Sequence, residues 1–174
     1  MTTIFCSNKL KDFVGQKQLT SVENFTENKF GDWNGHLFYC DRRKYLIFVN
    51  SKSYYSLIFA DVKKINLKDF ETFFLNRLIE QLIFDKVIDN SNTLIVLQKL
   101  LPLKLTKTNN DKKALGTLND FVFQFKCNRE SPYWSDKSIV QINNSINDSL
   151  TGAGRNKDRD YGRPIHDMQE LLNS

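Results

Sequence analysis

Three hydrophobic runs follow one another closely: LFYC from Leu37, YLIFV from Tyr45 and YYSLIFA from Tyr54, separated only by the polar tetrapeptides DRRK and NSKS. Aromatic and branched residues dominate them, as a pleated surface favours. Gaps this short join antiparallel neighbours. Leu37–Cys40, Tyr45–Val49 and Tyr54–Ala60 are therefore expected to form a three-stranded meander, with Asp41–Lys44 and Asn50–Ser53 as its turns. The strands are nearly continuous in apolar character, so both faces of the sheet should be covered.

Shorter elements precede the meander. Thr2–Cys6 reads as a strand, and Ser7-Asn8 caps a brief helix, Lys9–Val14, that Gly15 ends. Gln16–Asp32 is polar and weakly patterned, an irregular loop anchored by Val22, Phe25 and Phe30. After the meander the period changes. Phe70, Phe73, Phe74, Leu78 and Leu82 recur at three- and four-residue spacing, the buried face of a helix beginning at Asn66 with Asp69 as its reciprocal cap. Thr93–Leu101 is a second helix, stopped by Pro102, and Leu103–Thr106 a short strand. Asn109 or Asn110 caps a third helix over residues 111–127, with Leu115, Leu118, Phe121, Val122 and Phe125 as its stripe. Ser131-Pro132 is a turn. Ile139–Ile146 alternates as a strand does, with helix nearly as well supported. TGAGRNKDRDYGRP, from Thr151, is glycine-rich and charged, hence a loop, and His166–Leu172 reads as a terminal helical turn.

Strands first and helices after them argue an α+β fold over alternating βαβ units. The expected architecture is a small antiparallel sheet packed against two to three helices. Residues 1–150 form the domain and 151–174 a loop-rich tail packing on it. A chain of 174 residues suits one domain, and at that size about two-thirds of the unfolded surface is buried without help from disulfides or metals. Fourteen Phe residues point to an aromatic core. The three cysteines, Cys6, Cys40 and Cys127, are widely spaced and fall in strands or helices, where thiols are small buried hydrophobes. They form no zinc spacing. With no signal sequence and no apolar run long enough to span a bilayer, a cytoplasmic, non-membrane protein is expected.

The net charge is +5, and the whole excess lies before residue 128. Such a body attracts nucleic acid or another polyanion, although scattered lysines are also ordinary surface chemistry. Two polar segments concentrate the candidates. In the first, Asp41, Arg42, Arg43 and Lys44 set three cations between strands, where Arg offers a planar fork and Lys a mobile charge for phosphate. The alternative is a solvated hairpin turn. Trp33 and His36 stand just before it. In an extended strand residues three apart point to opposite faces, so these two meet only if Asn34-Gly35 bends the chain. His36 is the candidate general base; a structural His bonded to backbone is the ordinary reading.

The second segment runs from Lys107 to Asp120. A helix start favours anions, and Lys107, Lys112 and Lys113 flank this one, with Thr108 and Asn109 able to hydrogen-bond. Simple capping beside a solvated basic face competes with that reading. Gly116 costs a helix about 1 kcal/mol against Ala, which close approach of a backbone or ligand would explain. Asn119 and Asp120 beside the apolar stripe cap neighbouring backbone or line a cleft. No Walker loop, dinucleotide fingerprint, carboxylate pair, nucleophile elbow or metal-ligand spacing is present, so no cofactor or metal is expected.

Asn8-Lys9-Leu10, Trp33 and His36 leading into Asp41-Arg42-Arg43-Lys44, then Phe48-Val49-Asn50, Lys107-Thr108-Asn109 and Leu115-Gly116-Thr117-Leu118-Asn119-Asp120 carry a family resemblance. With them the chain resembles a bacterial family known as domain of unknown function 6933, from near its start to about residue 127 and more loosely beyond. The resemblance supports the fold and the location of a site and implies no activity.

The leading expectation is a non-enzymatic binding protein that meets nucleic acid or another polyanion through Arg42, Arg43, Lys44, Lys107, Lys112 and Lys113. A protein-interaction module, such as a defence or toxin–antitoxin partner, would use aromatic anchors among Trp33, Tyr39, Tyr54, Tyr55 and Trp134. A phosphate-ester enzyme would use His36 as base beside Arg42 or Arg43.

Overall fold

The computed structural model describes residues 1–21, 26–152 and 161–174. The meander forms as its residues dictate. β2 (Trp33–Cys40), β3 (Arg43–Asn50) and β4 (Ser56–Phe59) pair antiparallel, Cys40 opposite Arg43 and Leu46 opposite Phe59. The sheet does not stop there. β1 (Thr2–Cys6) lies parallel to β2 on one side and to β5 (Leu103–Lys107) on the other, in the order β4-β3-β2-β1-β5. The expected small antiparallel sheet with two to three helices is thus corrected: among the described residues a mixed five-stranded sheet is accompanied by six α-helices. The cause lies in the connections. Parallel neighbours need long crossovers. The path from β1 to β2 contains α1 (Asn8–Val14), and that from β4 to β5 contains α2 (Phe70–Phe84) and α3 (Thr93–Leu100). Such pairings leave no local mark on the strands they join.

Helices cover both faces, as the near-continuous apolar strands require. On one face Ile4, Trp33, Leu37, Phe48 and Leu57 share a core with Leu10, Phe74, Val96 and Met168, the last from α6 (Pro164–Asn173). On the other, Phe38, Tyr45, Ile47 and Ile58 meet Phe121 and Phe125 of α4 (Lys112–Asn128) and Ile142 and Ile146 of α5 (Ile139–Asn147).

The segment Ile139–Ile146 resolves as a helix. Ser138 Oγ accepts from Gln141 N–H, and Gln141 Oε1 accepts from Ser138 N–H, a capping box that starts α5 firmly. Two of its asparagines then substitute for a neighbouring strand. Asn147 accepts from Ser56 N–H and donates to Ser56 O, and Asn143 does the same at Ile58. Four helical residues rise about 6 Å and two strand residues about 6.7 Å, so the pairs come into register. β4 is an edge strand, and its outward backbone groups are satisfied by these carboxamides.

Other boundaries shift for local reasons. Asp69 is itself the cap of α2, accepting from Thr72 N–H at 3.2 Å, and Asn66 lies in the preceding 3-10 turn. The C-terminal segment contributes a ten-residue helix, α6, in place of a single turn. The glycine-rich loop at residues 153–160, with Val22 and Phe25, lies outside the described residues. Asn34-Gly35 is mid-strand, and a Cβ on Gly35 would come within 2.7 Å of both Leu10 Cδ2 and Phe48 Cε1. Gly116 sits on the exposed side of α4 with nothing within 4 Å of such a Cβ, so close approach does not explain it. Among the described residues no helix is long and apolar enough to cross a membrane.

Candidate anion-binding site

The β2–β3 hairpin turns on two residues, Asp41 and Arg42, with φ of 48° and 62°. Positive φ at both central positions is the type I′ solution, usually built with Asn-Gly. Asp tolerates it; for Arg the left-handed region costs about 1–2 kcal/mol. The turn is tighter than the expected Asp41–Lys44, and Arg43 and Lys44 belong to β3. Alternation sends them to opposite faces. Arg43 Nη1 lies 3.6 Å from the Asp61 carboxylate on the α4/α5 side. Lys44 Nζ sits 5.1 Å from the ring centre of Phe13, in α1 on the other side.

On the α4/α5 side the hairpin borders a small cavity of about 70 Å³. Arg43, Arg129 and Lys137 line it, and Asp61 is the one carboxylate among its lining residues. Tyr45, Phe125 and Ile142, all buried, supply its apolar wall. The Tyr45 hydroxyl acts on the Arg129 guanidinium and raises its pKa, with Asp41 adding to the effect. Arg129 caps the C-terminus of α4, so its position follows from the helix that packs Phe125 edge-on against Phe38. Lys126 lies one turn earlier, near enough to His36 and Cys40 to act on both. Sequence reasoning missed Lys126, Arg129 and Lys137. Their signal was a basic pair three apart at a helix end, and a lysine just before the Ser138 capping box.

Trp33 and His36 separate as strand geometry demands. Trp33 is fully buried, its ring edge-on to Phe74 at 5.4 Å, and offers no surface to a ligand. His36 points to the opposite face, half-buried, with Nδ1 2.8 Å from Ser7 Oγ. That partner is a side chain, not the expected backbone. Burial, then Lys9 and Lys126, lowers the His36 pKa and favours the neutral ring. Asp41 stands five residues further along the hairpin, roughly 16 Å at strand spacing.

The second polar segment is spent largely on its own turn. Thr108 Oγ1 accepts from Asn110 N–H, and Asn109 Oδ1 from Asp111 N–H. Asp111, rather than Asn109 or Asn110, caps α4, accepting from Lys113 and Ala114 N–H. The helix's own carboxylate therefore occupies the place an external anion would take. Lys112, Lys113, Asn119 and Asp120 are exposed on α4, and Lys107 ends β5 in register with Cys6. The two polar segments do not converge. The start of α4 lies on the Tyr54 side, where Asp111 raises the Tyr54 pKa after burial, and its end reaches Tyr45 and Asp41. Seventeen helical residues between them span about 25 Å.

Elsewhere, Cys6 is buried, its pKa pushed up to about 12 by desolvation, whereas Cys127 is exposed on α4, against expectation. Of the five proposed aromatic anchors, Trp33, Tyr54, Tyr55 and Trp134 are buried and only Tyr39 is exposed. A buried polar knot joins α2, β4 and α5. Asp85 accepts from the Tyr55 hydroxyl at 2.5 Å and from Gln81 and Asn144 at 2.9 Å, while burial raises its pKa. His166, Asp167 and Glu170 gather donor atoms within 4.8 Å at the start of α6, where Asp167 already accepts from Arg163 N–H.

Fold and site together define a three-layer domain, a mixed sheet between helical layers with a cationic cavity at its hairpin end. The chain belongs to the family described as domain of unknown function (DUF6933), whose model matches residues 3–167. That span continues through α5 and into α6, past residue 127. No curated protein and no solved structure matches the chain.

Proposed function

We propose that the protein is a non-enzymatic binding protein that takes nucleic acid or another polyanion against its hairpin end. The observation behind this reading is that Arg43, Arg129 and Lys137 line one cavity with a single carboxylate, Asp61. Arg42, Lys44 and Lys126 stand on the same hairpin and helix end. Guanidinium forks bind phosphate oxygens in pairs, and lysines add mobile charge. Lys107, Lys112 and Lys113 act at longer range, steering an anion without touching it. A labelled oligonucleotide titrated by fluorescence anisotropy tests the reading. Affinity should fall steeply with salt, log K changing by about −0.7 per phosphate contact for each tenfold rise in salt with a single strand, and Arg43→Ala with Arg129→Ala should weaken it. A flat salt response, or full affinity in that double variant, overturns it.

A second reading, a surface for a protein partner, draws on Phe123 and Leu150. They are 70% and 57% exposed and line one groove with Asp120 and Cys127. If that groove mediates self-association, Phe123→Ser should abolish any dimer seen by sedimentation; a strictly monomeric wild type removes that support.

A further inference from the structure

Beside the cationic cavity lies a larger hollow of about 470 Å³, within the range of small-ligand sites. The two share Lys137. Tyr133 stands at the hollow, 67% exposed, with Lys137 Nζ 3.6 Å from its ring centre and 3.0 Å from Ser145 Oγ. An exposed aromatic ring next to a phosphate-sized cationic pocket is the pairing that receives an unstacked base and its backbone. A base inside a duplex cannot present its face to such a platform.

Two asparagines and a carboxylate line the same hollow. Asn144 gives its Nδ2 to Asp85 Oδ1 at 2.9 Å, and Asn128 gives its Nδ2 to Gln124 O at 2.9 Å. Gln124 O is an acceptor, and so is Asp85 while ionised, so each carboxamide turns its Nδ2 to that partner and keeps Oδ1 for another donor. The Asp148 carboxylate joins them. Exocyclic amino groups of cytosine, adenine or guanine are two-hydrogen donors that match, whereas thymine has no amino group and offers only its ring N3–H.

We infer that this hollow takes an amino-bearing base of single-stranded nucleic acid, stacked on Tyr133, while the adjoining phosphate meets Arg43, Arg129 and Lys137. The inference rests on the polyanion reading above and specifies its ligand. Anisotropy titrations of the whole protein with oligo-dC, oligo-rC, oligo-dT, duplex DNA and inorganic polyphosphate test it. Oligo-dC and oligo-rC should bind several-fold more tightly than oligo-dT or duplex; their ratio shows which sugar is preferred. Tyr133→Ala should lose roughly five- to hundredfold for the cytosine oligomers, the worth of one stacked base, and change polyphosphate affinity far less, through the release of Lys137 from the ring alone. Tyr133→Trp should keep the affinity. If Tyr133→Ala binds oligo-dC as well as the wild type does, or if duplex and oligo-dT bind equally well, the inference fails and the polyanion reading stands. If the wild type binds none of the five probes, both fall together.

Discussion

Arg42 occupies a left-handed position that glycine would hold without strain. Arg42→Gly should therefore raise stability by up to about 1 kcal/mol in urea unfolding while weakening oligonucleotide binding; a less stable variant would contradict this account of the turn. His36 gives a pH test. Its folded pKa lies below the ordinary 6.5, so as pH falls through 6.5 the unfolded chain takes up the proton first and stability drops. Wild type should lose stability more steeply than His36→Gln as the pH falls below 6.5; equal slopes would contradict a lowered His36 pKa. At this scale the sequence was legible where strand alternation decides, as in the opposite facing of Trp33 and His36. It was silent on partners remote in sequence, such as Ser7 for His36. Several family-signature residues prove to serve the fold. Asn50 accepts from Lys52 N–H, Ser53 N–H and Ser53 Oγ and donates to Phe30 O, pinning the β3–β4 turn to the preceding loop.

Among the elements, α5 and β4 depend on each other. Asn143→Ala and Asn147→Ala should each cost about 1–3 kcal/mol, because they orphan a backbone donor and acceptor. Amide exchange at Ile58 and Ser56, respectively, should accelerate more than at Phe48 in the same sheet. Unchanged protection would mean that the side-chain bonds do not hold the edge. Gly35→Ala should destabilise by about 1–3 kcal/mol through overpacking against Leu10 and Phe48, checked by thermal unfolding. The meander and the aromatic stripe of α2 were readable because each carries its own period. β1 and β5 were readable as strands, but not as parallel partners, since that pairing is decided by crossovers through α1 and through α2 and α3. α5 was ambiguous because its asparagines, polar by composition, point inward to bond a strand edge.

For the whole molecule, charge was legible and its geometry was not. The sequence marked two basic segments, and the fold sets them at opposite ends of α4, replacing the second with Lys126, Arg129 and Lys137. Those residues come from separate elements that only the packing of α4 and α5 over the hairpin brings near Arg43. In the proposed binding mode the hairpin end, not the start of α4, makes the phosphate contacts. The most direct measurement compares the salt dependence of oligo-dC affinity in Arg43→Ala plus Arg129→Ala with that in Lys112→Ala plus Lys113→Ala. The first pair should make the log K against log salt slope shallower by about 1.4, two contacts at 0.7 each, and the second pair, which only steers, should change it much less. The reverse result, a shallower slope only in the lysine pair, would contradict that binding mode.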